Sequence, residues 1–365
     1  MRRNGCWQNC RNSCNDLNAY SYSPTHTLEV AGKQKSGGVS VNDNYLDVLQ
    51  QYEGETLEVR RGRGAWICER TDGMKLLKEY RGTQKRLEFE ETVLAALREM
   101  GIYSVDQYVR NREGELLTSA EDGTKYILKD WFPDRECNLK ERREILSAVS
   151  WIAKLHQAFR QISWREEWNL GSMLPPRLAE EMQRHSREMK RVRNFISSKR
   201  KKSEFELCVM QHFTVFYAQA QEAQKGLELL GENHEQSRLF LCHGDLNQHH
   251  ILMRERDAAI IEFNQMHQGE QMSDLYHFMR KVMEKHNWSE QLGLAMIDAY
   301  DRILPIGERD RKCLYYLFLY PEKYWKQLNY YYNANKAWIP EKNVEKLRNL
   351  ELQQDQKMDF LAKIE

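Results

Sequence analysis

No stretch of this 365-residue chain approaches eighteen consecutive apolar residues, so the sequence predicts no membrane-spanning helix. The start, Met1-Arg2-Arg3-Asn4-Gly5-Cys6, carries positive charge but lacks the apolar run that a secretory or twin-arginine signal needs. Synthesis and retention in a cytoplasm is the expectation. A charge excess is also missing: 55 Lys and Arg face 54 Asp and Glu, +1 overall, so nothing global argues for nucleic acid or a membrane surface. Cysteine is too scarce for a disulfide scaffold, with eight residues at 6, 10, 14, 68, 137, 208, 242 and 313. Most of them read as small core hydrophobes or free thiols. There is no internal repeat. What is present, 41% hydrophobic and 30% charged residues, is the balance of a globular protein large enough for one two-lobed unit or two domains.

The first forty or so residues are rich in Asn, Ser, Gly and Cys and hold few branched aliphatics, which predicts a disordered tail over 1–44. Within it Cys6, Cys10 and Cys14 recur every four residues, without the spacing of a common metal or cluster motif. From Thr56 the texture changes. Leu57-Glu58-Val59, Ala65-Trp66-Ile67-Cys68-Glu69 and Met74 to Tyr80 read as strands, the last two joined at Asp72-Gly73 as a hairpin. Residues 83–100 then switch to a helical period through Leu87, Glu90, Leu94 and Leu97. Ser104–Arg110 and Lys125–Trp131 are further strand candidates. Together these predict a small α+β lobe at 45–132.

Residues 133–365 are expected to be mainly helical, with long periodic stretches at 140–158 and 204–231. An island of loop and short strands is expected at 238–263. Arg184–Lys202 holds nine Lys and Arg against one Glu. It reads as a solvated helix face and loop, or as a surface for an anionic partner. The aromatic run from Tyr315 to Trp325, with Tyr330-Tyr331-Tyr332 and Trp338, reads as filling between the terminal helices, with some tyrosines exposed.

The most informative segment is His243-Gly244-Asp245-Leu246-Asn247-Gln248-His249-His250-Ile251-Leu252, followed by Ile260-Ile261-Glu262-Phe263. It resembles the catalytic loop and metal-binding segment of aminoglycoside-type phosphotransferases, small-molecule relatives of protein kinases. Phosphoryl transfer needs a carboxylate to orient the acceptor hydroxyl, and oxygen ligands to hold a cation against the phosphates. By that resemblance Asp245 and His243 are the catalytic candidates. Lys78, ending Leu76-Leu77-Lys78, is similar to the kinase strand lysine that holds nucleotide phosphates, with Glu90 or else Glu88 as its ion-pair partner. Ala153-Lys154-Leu155-His156 resembles the helix under the loop, and Gly62-Arg63-Gly64 sits where a phosphate-covering turn belongs.

Read together, Lys85-Arg86-Leu87-Glu88-Phe89, Arg135-Glu136-Cys137, Cys242-His243-Gly244-Asp245, Asp274 to Lys281 and Pro321-Glu322-Lys323-Tyr324-Trp325 resemble the CotS family of spore-coat-associated proteins. The resemblance runs from about residue 45 to the end. It implies a two-lobed kinase-like fold, synthesis in the mother cell, residence in the spore coat and other coat proteins as partners; from the charge balance and the missing apolar run, neither nucleic acid nor a membrane span is expected. The family pattern is altered at the metal: His250 stands where Asn is expected and Glu262 where Asp is expected, with Asn264 two residues on. Mg²⁺ prefers oxygen ligands in tight octahedral geometry, and imidazole suits softer metals. The expectation is a coat-assembly protein with impaired or absent phosphotransfer. The alternative is an active ATP-dependent small-molecule kinase with ATP and Mg²⁺ or Mn²⁺, Glu262 with His250 or Asn264 holding the metal.

Overall fold

The computed structural model describes residues 44–132, 135–174, 178–232, 239–255, 257–333 and 340–365. The expected tail with its three cysteines, and Trp338, lie outside them. The chain enters through a short helix, α1 (Asn44–Leu49), and builds an antiparallel sheet from β1 (Thr56–Gly62), β2 (Ala65–Arg70) and β3 (Gly73–Glu79). Helix α2 (Gln84–Glu99) follows, with the Thr83 side chain accepting from the Arg86 N–H as its N-cap. Strands β4 (Tyr108–Val109), β5 (Thr118–Ser119) and β6 (Lys125–Asp130) complete the sheet, in the order β1-β2-β3-β6-β4, with β5 also on β6.

The 104–110 candidate forms a strand only at Tyr108–Val109, because Val105 is drawn away into a parallel bridge with Ile260. That bridge ties the small lobe to the strands of the larger one.

The second part is helical: α3 (Arg142–Phe159), α4 (Leu178–Ser197) and α5 (Glu204–Glu232) precede the island, and among the described residues six helices follow it. The island holds β7 (Phe240–Cys242), β8 (Ile251–Met253), β9 (Ala258–Ile260) and β10 (His267–Gly269), paired β7 with β10 and β8 with β9. The closing helices are α6 (Gln271–Lys285), α7 (Glu290–Asp301), α8 (Glu308–Leu319), α9 (Glu322–Asn333), α10 (Glu341–Leu352) and α11 (Gln354–Ile364).

One large core runs through the helical part and takes in Phe89, Val93, Leu94 and Leu97 of α2, while Leu87 of the same helix packs on Ile127 of the sheet, so the helix bridges the two. Phe89 lies edge-on to Trp164 and Trp168. Phe318, Tyr320, Tyr324 and Trp325 are buried and Tyr332 is exposed, so the aromatic run is mostly filling. Cys68, Cys137, Cys208, Cys242 and Cys313 are free thiols, all buried. Among the described residues no helix is long and apolar enough to cross a membrane.

Candidate active site

The loop after β7 is built around a glycine. Gly244 has φ +83°, and a Cβ there would sit 2.2 Å from the Gln265 carbonyl oxygen, so no other residue fits this turn. His243, fully buried, uses both ring nitrogens: Nε2–H donates to the Ile261 carbonyl at 3.0 Å, and Nδ1 accepts the Asp245 N–H at 3.2 Å. Burial pushes its pKa down to about 4, which keeps the ring in the neutral form that one donor and one acceptor require. His243 thus braces the loop against the 260–264 segment.

Asp274, in the first turn of α6, holds the same loop from below. Its carboxylate accepts the N–H groups of His243 (2.6 Å) and Gly244 (2.9 Å) and meets His156 Nε2 at 3.3 Å, while His156 Nδ1 meets the Tyr300 hydroxyl at 2.8 Å. Burial alone would raise the carboxyl pKa, but the hydrogen bond and charge of His156 outweigh it and hold the group well below the carboxylate range. The 274–281 run contributed to the family resemblance; this anchoring role was not legible in it.

Asp245 is half exposed. Its carboxylate accepts from Asn247 Nδ2 at 3.1 Å, and Asn247 Oδ1 in turn caps the short turn at 248–250 by accepting the His249 N–H. His250 Nδ1 lies 2.7 Å from the Asp245 carbonyl and donates to it, since a carbonyl only accepts. The residue at the expected asparagine position is thus tethered to its own loop.

Glu262 has left-handed backbone angles, φ 67° and ψ 53°, and donates its N–H to Asp106 Oδ2 at 3.0 Å. Asp106 is buried and paired with Lys129 Nζ at 2.7 Å. The Glu262 carboxylate meets Lys78 Nζ at 2.7 Å. Leu76 pairs with Lys129 across β3 and β6, and Lys78 is two residues beyond Leu76, so both lysines stand on one face of the sheet. Burial would raise the Glu262 pKa, but the charges of Lys78 and Lys129 and the Lys78 hydrogen bond hold it below the usual range. For Asp106 burial wins over Lys129 and, with the Glu262 charge beside it, raises the pKa. Neither member of this second pair was anticipated; the only signal was a lysine inside the apolar run Ile127-Leu128-Lys129.

The structure does not bring Lys78 and Glu90 together. Glu90 is buried against Arg86, one turn earlier on α2, whose Nε donates to it at 2.6 Å, and the Tyr108 hydroxyl donates from the other side at 2.5 Å. Arg86 Nη2 also donates to the Asn264 carbonyl at 2.8 Å, so α2 reaches the 262–264 segment through an arginine. Glu88 is exposed and accepts from Gln84. Asn264 is exposed as well.

The turn at Gly62-Arg63-Gly64 is pinned down. Arg63 donates to the His249 carbonyl at 2.8 Å and to Glu136 Oε1 at 2.9 Å, while Glu136 Oε2 accepts from His249 Nδ1 at 2.6 Å.

Kinase-like folds imply a nucleotide and a divalent cation, and the residues here do not fit the cation. Glu262 is neutralised by Lys78, the His250 Nδ1–H is engaged by a carbonyl, and Asn264 brings no second carboxylate. Among the described residues no group of three His, Cys, Asp or Glu is arranged to hold a metal.

No family model matches the chain. Spore coat protein S of Bacillus subtilis (strain 168) is 23% identical over 312 residues, 84% of this chain and 88% of that protein. Among solved structures, an aminoglycoside phosphotransferase from Alicyclobacillus acidocaldarius subsp. acidocaldarius DSM 446 is similar with TM-score 0.77 and 16% identity, over 91% of this chain and 96% of that one. Spectinomycin phosphotransferase, solved with ADP and spectinomycin, is similar at TM-score 0.59 and 12% identity over 86% and 98% of the two chains. Amicoumacin kinase, solved with AMP-PNP and Ca²⁺, is similar at TM-score 0.54 and 12% identity over 88% and 94%. The loop therefore stands in a fold shared with phosphotransferases, and this chain is similar in sequence to spore coat protein S and has the two-lobed aminoglycoside-phosphotransferase-like, kinase-like architecture.

Proposed function

We propose that the protein acts in spore coat assembly as a kinase-like scaffold whose phosphotransfer is impaired. The observation that carries the second half is the Lys78–Glu262 ion pair: the lysine expected on nucleotide phosphates and the carboxylate expected on the metal neutralise each other at 2.7 Å. The likeness to spore coat protein S supports the first half. In this reading Asp274, His243, His156 and Asn247 maintain the shape of the loop, and the lobes serve as a rigid body for partners.

A thermal-shift titration with ATP and Mg²⁺ or Mn²⁺, on the wild type and Lys78→Ala, tests the cleft. Binding to the folded state must stabilise it by mass action, so no shift at millimolar nucleotide is the expected result. Half-exposed Asp245 favours one second reading, a small-molecule kinase in which it orients an acceptor hydroxyl. A metal-dependent shift lost in Lys78→Ala, together with phosphate release, would establish that reading instead. Assembly is tested by following a tagged chain through sporulation, where recovery in the coat fraction is expected.

A further inference from the structure

The buried side of α4, Met182, His185, Ser186, Met189, Val192 and Ile196, packs against α5 and α9. The opposite side carries Arg184, Arg187 and Arg191 and then Phe195, all exposed, at intervals of three, four and four residues. A rise of 1.5 Å per residue spaces them about 4.5, 6 and 6 Å apart along one ridge. Phe195 meets Tyr332 edge-on at 5.5 Å, and the two are 43% and 42% exposed. Lys190, Arg200 and Lys201 flank the ridge, also exposed.

The fold gives these cations little to do. Among the described residues Arg184 and Arg187 reach Glu181 and Gln183 of their own helix, each at 3.3 Å and exposed, contacts worth little in water. Glu188, the single acid in 184–202, accepts from Trp325 Nε1 at 2.8 Å and is thereby held at the α4–α9 joint. Like charges one turn apart on a helix repel. The ridge is therefore a small net cost to the free chain, and its side chains make contacts within α4 and on α9.

We propose that this ridge docks an acidic amphipathic helix of a partner protein. A helix repeats the pitch of the ridge, so carboxylates at i, i+3 and i+7 meet Arg184, Arg187 and Arg191, and an apolar side chain at i+11 covers the Phe195–Tyr332 pair. A phosphate backbone has nothing to place on that pair. A polyanion would also meet a chain whose remaining charge is 1 − 8 = −7, since 184–202 carries nine basic residues and one acid. Residues 1–43 are no better as an occupant, with five Lys and Arg against three Asp and Glu. The proposal rests on the assembly reading for where the partner is found, in the coat.

The test uses the full chain and a synthetic helical peptide with Glu at i, i+3 and i+7 and Leu at i+11, titrated by fluorescence anisotropy at low and physiological salt. Binding is expected, weakened about tenfold by Arg187→Glu with Arg191→Glu and severalfold by Phe195→Ser at either salt. Circular dichroism of the variants checks that these surface changes leave the fold intact. Equal binding of a scrambled peptide of the same charge, tighter binding of single-stranded DNA or of phosphatidylserine vesicles, or self-association abolished by the charge reversals would each overturn the proposal. Coat recovery of the tagged wild type is scored separately, so failed peptide binding with normal recovery overturns the ridge and leaves the assembly reading standing.

Discussion

Lys78 on β3 and Glu262, two residues beyond β9, join the two lobes through a 2.7 Å ion pair, with Glu262 mostly buried and Lys78 partly so. The pair lies over a second one, Lys129 with Asp106, and Asp106 holds the Glu262 backbone N–H. Two cations and two carboxylates thus balance at the lobe junction.

Removing one member exposes that balance. Lys78→Met leaves Glu262 without its direct partner in a place water reaches poorly, and a loss of about 1–3 kcal/mol is expected. Glu262→Gln alone should cost about as much. The double variant should cost less than the two singles together, because neither charge is then left unpaired. Urea unfolding of the four proteins measures this, and strictly additive losses would mean that the pair contributes nothing.

Acid should destabilise the protein over two successive pH ranges. His243 has its pKa lowered from 6.5 to about 4, so between those values the unfolded chain takes up a proton that the folded chain refuses. Stability therefore falls as pH drops through that window, by about 2 kcal/mol between pH 7 and pH 5 from this residue. Buried His185, pushed down to about 3, acts in the same direction. The contribution of Asp274, depressed in the folded state, is present above its unfolded value of 3.8 and is lost only below it. Urea midpoints at pH 7 and pH 5 are expected to move less in His243→Gln than in the wild type.

The Arg63 contacts span three parts of the chain yet lie near the surface, so their thermodynamic weight is small. Arg63→Ala should change global stability by less than about 1 kcal/mol. It should nevertheless free the β1–β2 turn, since the contacts to His249 and Glu136 are what hold it on the loop after β7. Hydrogen exchange at residues 62–64 and 248–250 is expected to quicken in the variant, with protection elsewhere unchanged.

Much of this was legible in sequence where a local pattern determines local structure. The β2–β3 hairpin follows from two apolar runs around Asp72-Gly73, and α2, α3 and α5 from sustained helical periods. The loop at 243–252 was legible because its glycine and histidine serve the shape of the loop itself. Pairing was not. Glu90 lies on the apolar face of α2, as expected, but Arg86 one turn before it competes for the same carboxylate, and sequence gives no means of ranking that contact against Lys78. Strand β10, His267-Gln268-Gly269, has no apolar alternation and exists through its pairing with β7. The Lys129–Asp106 pair joins residues 23 positions apart, brought near each other where β4 pairs with β6 and Tyr108 stands opposite Lys129.

Lys357 of α11 is a cation placed where a methionine would do better. It is 8% exposed, donates to the Leu319 carbonyl at 3.1 Å, stands 5.6 Å from the Trp288 ring and lines, with Arg280, Glu284 and Glu322, a cavity of about 30 Å³. Burial pushes its pKa down to about 7 from 10.5. Between those values the unfolded chain holds a proton that the folded chain has released, so stability should rise with pH across that window, and the full cost of burying the amine is present below it. Lys357→Met keeps the volume and removes the charge, forfeiting one hydrogen bond worth about 1 kcal/mol. A net gain of about 1–3 kcal/mol at pH 7 is expected, with a flatter stability profile from pH 7 to 10. A variant less stable than the wild type at pH 7 with the same pH slope would mean that Lys357 stays charged inside the bundle, held by Glu284 and the Leu319 carbonyl.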